Sequence, residues 1–140
     1  MSYADAVTAI AEELDTLITP ESLLRYVYRV PAGSLETLPS VVFFGNGGRF
    51  GFTFGNTVED EQHHEEFLKI LVKNSDIEEG MRDLELIRSD VMSKIRSVGD
   101  LNGHGEIYHV EWSPPSRHTY AKDYYLGQAI RIQFLVKSVT

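Results

Sequence analysis

The last segment of the chain constrains the fold most, because hydrophobic and polar residues alternate along it. The hydrophobic positions are Ile130, Ile132, Phe134 and Val136. Arg131, Gln133 and Lys137 occupy the positions between and after them. A period of two is the signature of a β-strand with one buried face. The chain must therefore build a sheet that is covered on one side and more polar on the other.

Two amphipathic helices are available to cover that sheet. The first stripe is Tyr3, Val7, Ile10, Leu14 and Leu17, and the second is Ile77, Met81, Leu84, Ile87, Val91, Ile95 and Val98. Helical spacing predicts a helix over residues 3–18, which the Thr19–Pro20 step ends. Asp76 is the expected N-cap of the second helix and Gly99 its C′ residue.

The remaining hydrophobic segments predict strands separated by polar connectors. Aromatic and β-branched residues favour strands at 23–30, 40–44, 68–72, 108–112 and in the last segment. Residues 59–66 are expected to form a solvated acidic loop, and Pro114–Lys122 a second loop. The alternating Phe50, Phe52 and Phe54 indicate a glycine-rich hairpin arm. We expect one domain over residues 1–140, of the α+β class, with a mainly antiparallel sheet, two helices packed on one face and an extended hairpin arm.

Composition excludes several functions. The 140 residues include no cysteine, so disulfides, thiol nucleophiles and cysteine-bound metals are excluded. The formal net charge of −8 argues against a broad surface for nucleic acid or anionic lipid. The sequence has no hydrophobic run of about 20 residues, and its first residues do not resemble a signal peptide, so we expect a soluble domain.

No motif predicts an enzyme, a cofactor or a metal. The glycines at 45–51 lack the spacing and the following helix of a phosphate loop. Gly33–Ser34 lacks the second glycine of a nucleophile elbow. Within 59–66, His63 with Glu65, or His64 with Glu66, would supply at most half a metal site. We therefore predict no catalytic, cofactor-binding or metal-binding residues.

Nucleic-acid recognition is the alternative from another class. Residues 42–46 and 49–54 are similar to the two aromatic motifs of RNA-recognition domains. Their spacing is wrong for that fold, and Arg49 is the only cation between residues 41 and 64. A small single-stranded nucleic-acid or ligand-binding α+β domain remains an open alternative.

Taken together, the segments resemble the tail terminator (tail completion) family of long-tailed bacteriophages, prophages and gene transfer agents. The phrase from Val30 to Val42, VPAGSLETLPSVV, is similar to the family's VP…L…LPAVVV pattern. Leu101-Asn102-Gly103 is similar to its LGG turn, with Asn102 in place of a glycine. Tyr124–Gly127 leads into the last strand as in the family, whereas the phenylalanine-rich 45–55 segment has no counterpart.

The resemblance implies a structural virion protein without catalytic residues. Members form a ring, usually a hexamer, on the finished tail tube, stop its polymerisation and present a head-joining surface. The implied partners are other copies of the chain, the tail tube protein and a head-completion or stopper protein. Genomic DNA would pass through the ring without specific binding, and the protein would belong to the virion after assembly in the bacterial cytoplasm. A related head–tail adaptor or stopper is the nearest alternative.

The expected contact residues lie in the arm and in the 114–122 loop. We predict that Phe50, Phe52 and Phe54, together with His118 and Tyr120, contact neighbouring subunits or the tube, because aromatic residues are enriched in interface cores. Acidic side chains are expected to line the bore and repel DNA phosphates.

Overall fold

The computed structural model describes residues 3–31, 33, 35, 37–45, 51–53, 59–73, 75–120 and 122–139, with the backbone alone at 51–53, 59–62 and 137–139. These residues contain helices α1 (Tyr3–Asp15) and α2 (Ile77–Ser97) and a 3-10 helix (Leu101–Gly103). The strands are β1 (Tyr26–Tyr28), β2 (Ser40–Gly45), β3 (Gly51–Thr53), β4 (Glu59–Lys73), β5 (Gly105–Trp112), β6 (Ser116–Tyr120) and β7 (Asp123–Val139).

The strands form one sheet in the order β1-β2-β4-β7-β5. β3 pairs with β4, and β6 pairs with β7. β1 is parallel to β2, and the other pairings are antiparallel. The predicted α+β class and mainly antiparallel sheet are confirmed. β1 and β5 lie at opposite edges of the sheet.

The pairing of β4 with β7 forms the centre of the sheet. It runs without a break from Glu59 opposite Val139 to Lys73 opposite Tyr125. At about 3.3 Å per residue, the 15 residues of β4 span roughly 50 Å. The predicted loop over residues 59–66 is therefore wrong. The polar segment is a strand because the long alternating β7 needs a hydrogen-bonding partner along its whole length.

Both helices pack on one face of the sheet, as predicted. The alternating residues of β7 from Ile130 to Val136 are fully buried there. They share one core with Ile10 and Leu14 of α1 and with Leu84 and Val91 of α2. A second, smaller cluster lies on the opposite face and consists of Leu35, Val42, Leu71, Tyr120 and Tyr125. Leu35 and Leu38 of the 31–39 connector therefore cover one end of the face that the helices leave open.

The caps of α2 agree with the prediction, whereas the start of its apolar stripe does not. Asp76 accepts a hydrogen bond from the Glu79 backbone N–H at 3.1 Å, and the helix ends at Ser97. Ile77 and Met81 are exposed, because Gly80 is the residue that faces the sheet in the first turns. A Cβ at Gly80 would lie 2.8 Å from Leu126 Cδ2, so this close approach turns the two large side chains outward.

Three other element boundaries differ from the predictions. Helix α1 ends at Asp15 rather than 18, and Leu17 and Ile18 pack against the core from the following turns. β1 has three residues rather than the eight of 23–30. The Pro114–Lys122 segment is mainly strand β6, because it continues the antiparallel pairing of β5 along β7. Neither α1 nor α2 has the length and hydropathy needed to cross a membrane.

A β-bulge interrupts the alternation of side chains along β5. The register against β7 shifts between Ile107 and His109. Ile107 and Val110 consequently both pack against the core, and Tyr108 between them is exposed. Trp112 lies opposite Ile130, on the same face as Val110, and is exposed at the edge of the sheet. Two aromatic residues are thus placed at a free edge of the sheet.

A substitution at Gly105 tests how much the close contact between β5 and β7 contributes to stability. A Cβ at this position would lie 2.2 Å from the Leu135 carbonyl oxygen and 3.1 Å from Val136 Cα. Gly105→Ala should lower the free energy of unfolding by about 2–3 kcal/mol, because the backbone of the central strand must move. Gly33→Ala is the matched control, since no atom lies within 4 Å of its added Cβ. Equal urea midpoints for the two variants would contradict this packing.

Candidate subunit-contact surfaces

The structure describes three of the five predicted contact positions. Phe50 and Phe54 lie outside the described residues. Phe52 belongs to β3, where its backbone is opposite Gln62 of β4, but its side chain lies outside the described part. Contact through the arm therefore stays a prediction.

His118 lies on β6, on the face of the sheet opposite the helices. Its imidazole is half-buried, and its Nε2 atom lies 3.1 Å from Ser116 Oγ. The ring rests against Gly127, where an added Cβ would lie 2.8 Å from His118 Cδ2. Burial, assisted by the positive charge of Lys69, lowers the pKa of His118. The neutral ring can both donate and accept a hydrogen bond at pH 7.

Tyr120 belongs to the interior of the subunit. Its side chain is 8% exposed, and its ring makes edge contacts with Phe44 at 6.0 Å and Tyr125 at 6.4 Å. The aromatic surface of Tyr120 is therefore already packed within the chain, where it stabilises the second cluster.

A buried polar cluster fastens α1 to the sheet. Glu66 is fully buried on β4, and it accepts hydrogen bonds from the Tyr3 hydroxyl and from the Gly45 N–H at 2.7 Å. The buried His64 ring lies 5.1 Å from the Tyr3 ring and 5.7 Å from Phe134. One carboxylate thus joins the first residue of the helix, the end of β2 and the central strand.

Burial perturbs the ionisation of this cluster. Desolvation raises the pKa of Glu66, although the hydrogen bonds from Tyr3 and Gly45 oppose that rise. Desolvation, with a contribution from His63, lowers the pKa of His64. The same burial, together with Glu66, raises the pKa of the Tyr3 hydroxyl. Because Glu66 has no accessible surface, a substrate could reach it only if the helix moved.

An ionic network crosses the open face of the sheet. Arg131 Nε of β7 lies 3.3 Å from Glu65 Oε1 of β4, and the guanidinium also contacts Glu111 of β5. Gln133 Nε2 donates to Glu65 Oε1 at 3.1 Å. Glu111 also lies 3.8 Å from His109. Among the described residues, no group of three or more histidines and acids is arranged to hold a metal ion.

Sequence reasoning missed both polar groupings because it assigned residues 59–66 to a loop. Local hydropathy gives no signal of their burial, since almost every residue there is polar. The usable signal was the length of β7, because a strand that alternates as far as Val136 requires a partner strand of similar length.

Hydrophobic side chains are exposed at both edges of the sheet. At the β1 edge these are Leu23, Tyr26 and Val30. At the β5 edge a surface groove of about 600 Å³, here called the Trp112 groove, is lined by Glu78, Met81, Arg82, Glu85, Arg88, Trp112, Pro114, Pro115 and Gln128. Trp112 is 48% exposed, and the Arg88 guanidinium carbon lies 5.1 Å from its ring centroid. Sequence reasoning missed this groove because it forms between α2 and the end of β5, which are far apart in the sequence.

No protein-family model matches this chain, and no curated protein matches it.

The buried histidine predicts a dependence of stability on pH. Because the pKa of His64 is lowered in the folded chain, the unfolded chain binds more protons below pH 6.5. The free energy of unfolding should therefore fall as the pH falls through this range. The raised pKa of Glu66 acts in the opposite sense, because its contribution decreases as the pH rises above 4.5.

His64→Phe isolates the histidine term, since phenylalanine keeps a ring between Tyr3 and Phe134. Urea denaturation between pH 7 and 5.5 should show a smaller loss of stability in this variant than in the wild type. His104→Phe is the control at an exposed position and should keep the wild-type slope. An unchanged slope in His64→Phe would contradict the burial of a neutral histidine.

Proposed function

We propose that this chain is a tail terminator, a subunit of a ring that closes the end of a phage-type tail tube. The observation that carries the proposal is the exposure of large hydrophobic side chains at two opposite edges of one sheet. Contiguous exposed hydrophobic surface marks interaction sites. Because the two surfaces differ, contact between copies would be head-to-tail, and such contacts close into a ring when the rotation permits.

The rigidity of the sheet supports this assignment. Four inter-strand spacings of about 4.8 Å separate β1 from β5, so the two edges lie roughly 19 Å apart across a continuous hydrogen-bonded sheet. A rigid spacer fixes the angle between neighbouring copies and hence the number of copies in a closed ring.

The element order also agrees with the resemblance. The elements follow one another in the order that the resemblance implies. An N-terminal helix comes first, and the Val30–Val42 phrase then leads into β2. A long helix ends before Leu101-Asn102-Gly103, and a long strand comes last. Backbone conformation supports the turn, since Leu101, Asn102 and Gly103 all have positive φ. Asparagine is a residue that tolerates this region, so its replacement of a glycine leaves the turn intact.

The net charge of −8 fits a conduit that DNA crosses without binding. In our proposal, carboxylates face the bore and repel phosphate groups. The copies would join through the hydrophobic edges, so the acidic surface does not have to be buried between them.

Tube polymerisation tests the proposed function. Added to polymerising tail tube protein from the same phage-like gene cluster, the chain should shorten the tubes in proportion to its concentration, as measured by electron microscopy. Trp112→Ser should abolish this effect by removing the central side chain of the groove. Leu86→Ser is the matched control, because Leu86 is 52% exposed on α2 but does not line the groove. Unchanged tube lengths at saturating wild-type protein would contradict the proposal.

A further inference from the structure

The open face of the sheet carries a serine and a histidine side by side on β6. Ser116 and His118 are two residues apart on this strand, so their side chains lie on the same face. Ser116 is exposed, and its Oγ lies 3.1 Å from Nε2 of the half-buried His118 ring. A hydroxyl within hydrogen-bond distance of an imidazole nitrogen is the arrangement that activates a serine as a nucleophile. Because Ser116 is exposed, a reactant can approach it in the free chain.

Gly127 on the neighbouring strand makes room for the histidine ring. In the pairing of β6 with β7, Gly127 lies opposite Ser116. An added Cβ at Gly127 would come within 2.8 Å of His118 Cδ2 and 2.7 Å of Leu71 Cδ2. The ring thus occupies space that any other residue at 127 would need. Packing against β7 therefore holds the imidazole beside the hydroxyl.

The charge state of the ring suits a general base. Burial, together with the positive charge of Lys69, lowers the pKa of His118, so the ring is neutral at pH 7. In the tautomer that carries its proton on Nδ1, Nε2 is the atom that accepts the Ser116 hydroxyl hydrogen. Lys69 lies on the same face, because it is opposite Val42 of the second cluster. Its positive charge favours the negative oxygen that develops when a hydroxyl attacks a carbonyl group.

We propose that Ser116 is a nucleophile for activated acyl esters, with His118 as its general base. Oγ of Ser116 attacks the ester carbonyl carbon, while Nε2 of His118 takes the hydroxyl proton. The bond between that carbon and the leaving oxygen then breaks, and the protonated ring returns the proton to the leaving oxygen. The products are an O-acyl serine at residue 116 and a free alcohol or phenol. The proposal is independent of the tail terminator function, because both side chains belong to one subunit.

Acetylation by p-nitrophenyl acetate tests the pair. The full-length protein should release p-nitrophenol and gain an acetyl group that tandem mass spectrometry locates on Ser116. His118→Phe should slow the acetylation of Ser116 by about 100-fold, because phenylalanine keeps a ring over Gly127 but accepts no proton. His104→Phe is the matched control at an exposed histidine and should leave the rate unchanged.

Two further variants separate this chemistry from packing and from reaction at the imidazole itself. His118→Gln should show the same loss as His118→Phe, so the result does not depend on how the phenylalanine ring packs. Ser116→Ala should abolish stable acetylation of the 116–120 strand, whereas Ser93→Ala, at an exposed serine of α2, should leave it intact.

The proposal would be overturned by an acetyl group on His118 or on lysines while Ser116 stays unmodified. Equal rates of Ser116 acetylation in the wild type, His118→Phe and His118→Gln would overturn it as well.

Discussion

The backbone pairing of β4 with β7 is the interaction on which the rest of the structure depends. It joins strands of 15 and 17 residues, and every other strand except β1 is attached directly to one of these two. The pairing also explains why a segment as polar as residues 59–66 is ordered as a strand. Hydrogen bonds to β7 satisfy its backbone, and the side chains of Glu65 and Glu66 then find partners on opposite faces of the sheet. Glu66 is held beneath α1, whereas Glu65 joins the network of Arg131 on the open face.

This central pair also determines where contacts to other molecules can form. Because the two helices cover one face and the connector covers part of the other, the exposed hydrophobic side chains are concentrated at the edges and at the start of α2. Trp112 is exposed at the edge of the sheet opposite Ile130, and the close approach of Gly80 to Leu126 turns Met81 outward. These two side chains line the same groove.

The fold class was predictable from the sequence because periodic hydrophobic patterns report directly on buried faces. The α2 stripe predicts the long helix, and the alternation over residues 130–136 predicts the last strand. Asp76 is correctly predicted as the N-cap of α2. The polar half of β4 was not predictable from its own residues, since its burial depends on pairing far along the chain. Tyr120 was predicted at a contact because it is aromatic, yet it is largely buried beside Tyr125. The Trp112 groove depends on the packing of α2 beside the end of β5, which no local pattern reveals.

We propose that copies of this chain associate head-to-tail and close into a ring. Native mass spectrometry over a range of concentrations, with and without tail tubes, tests it most directly. Closure of the ring predicts one discrete oligomer with no larger species, either in solution or bound at tube ends. A monomer under all these conditions, a dimer that does not grow further, or an open-ended series of oligomers would contradict it.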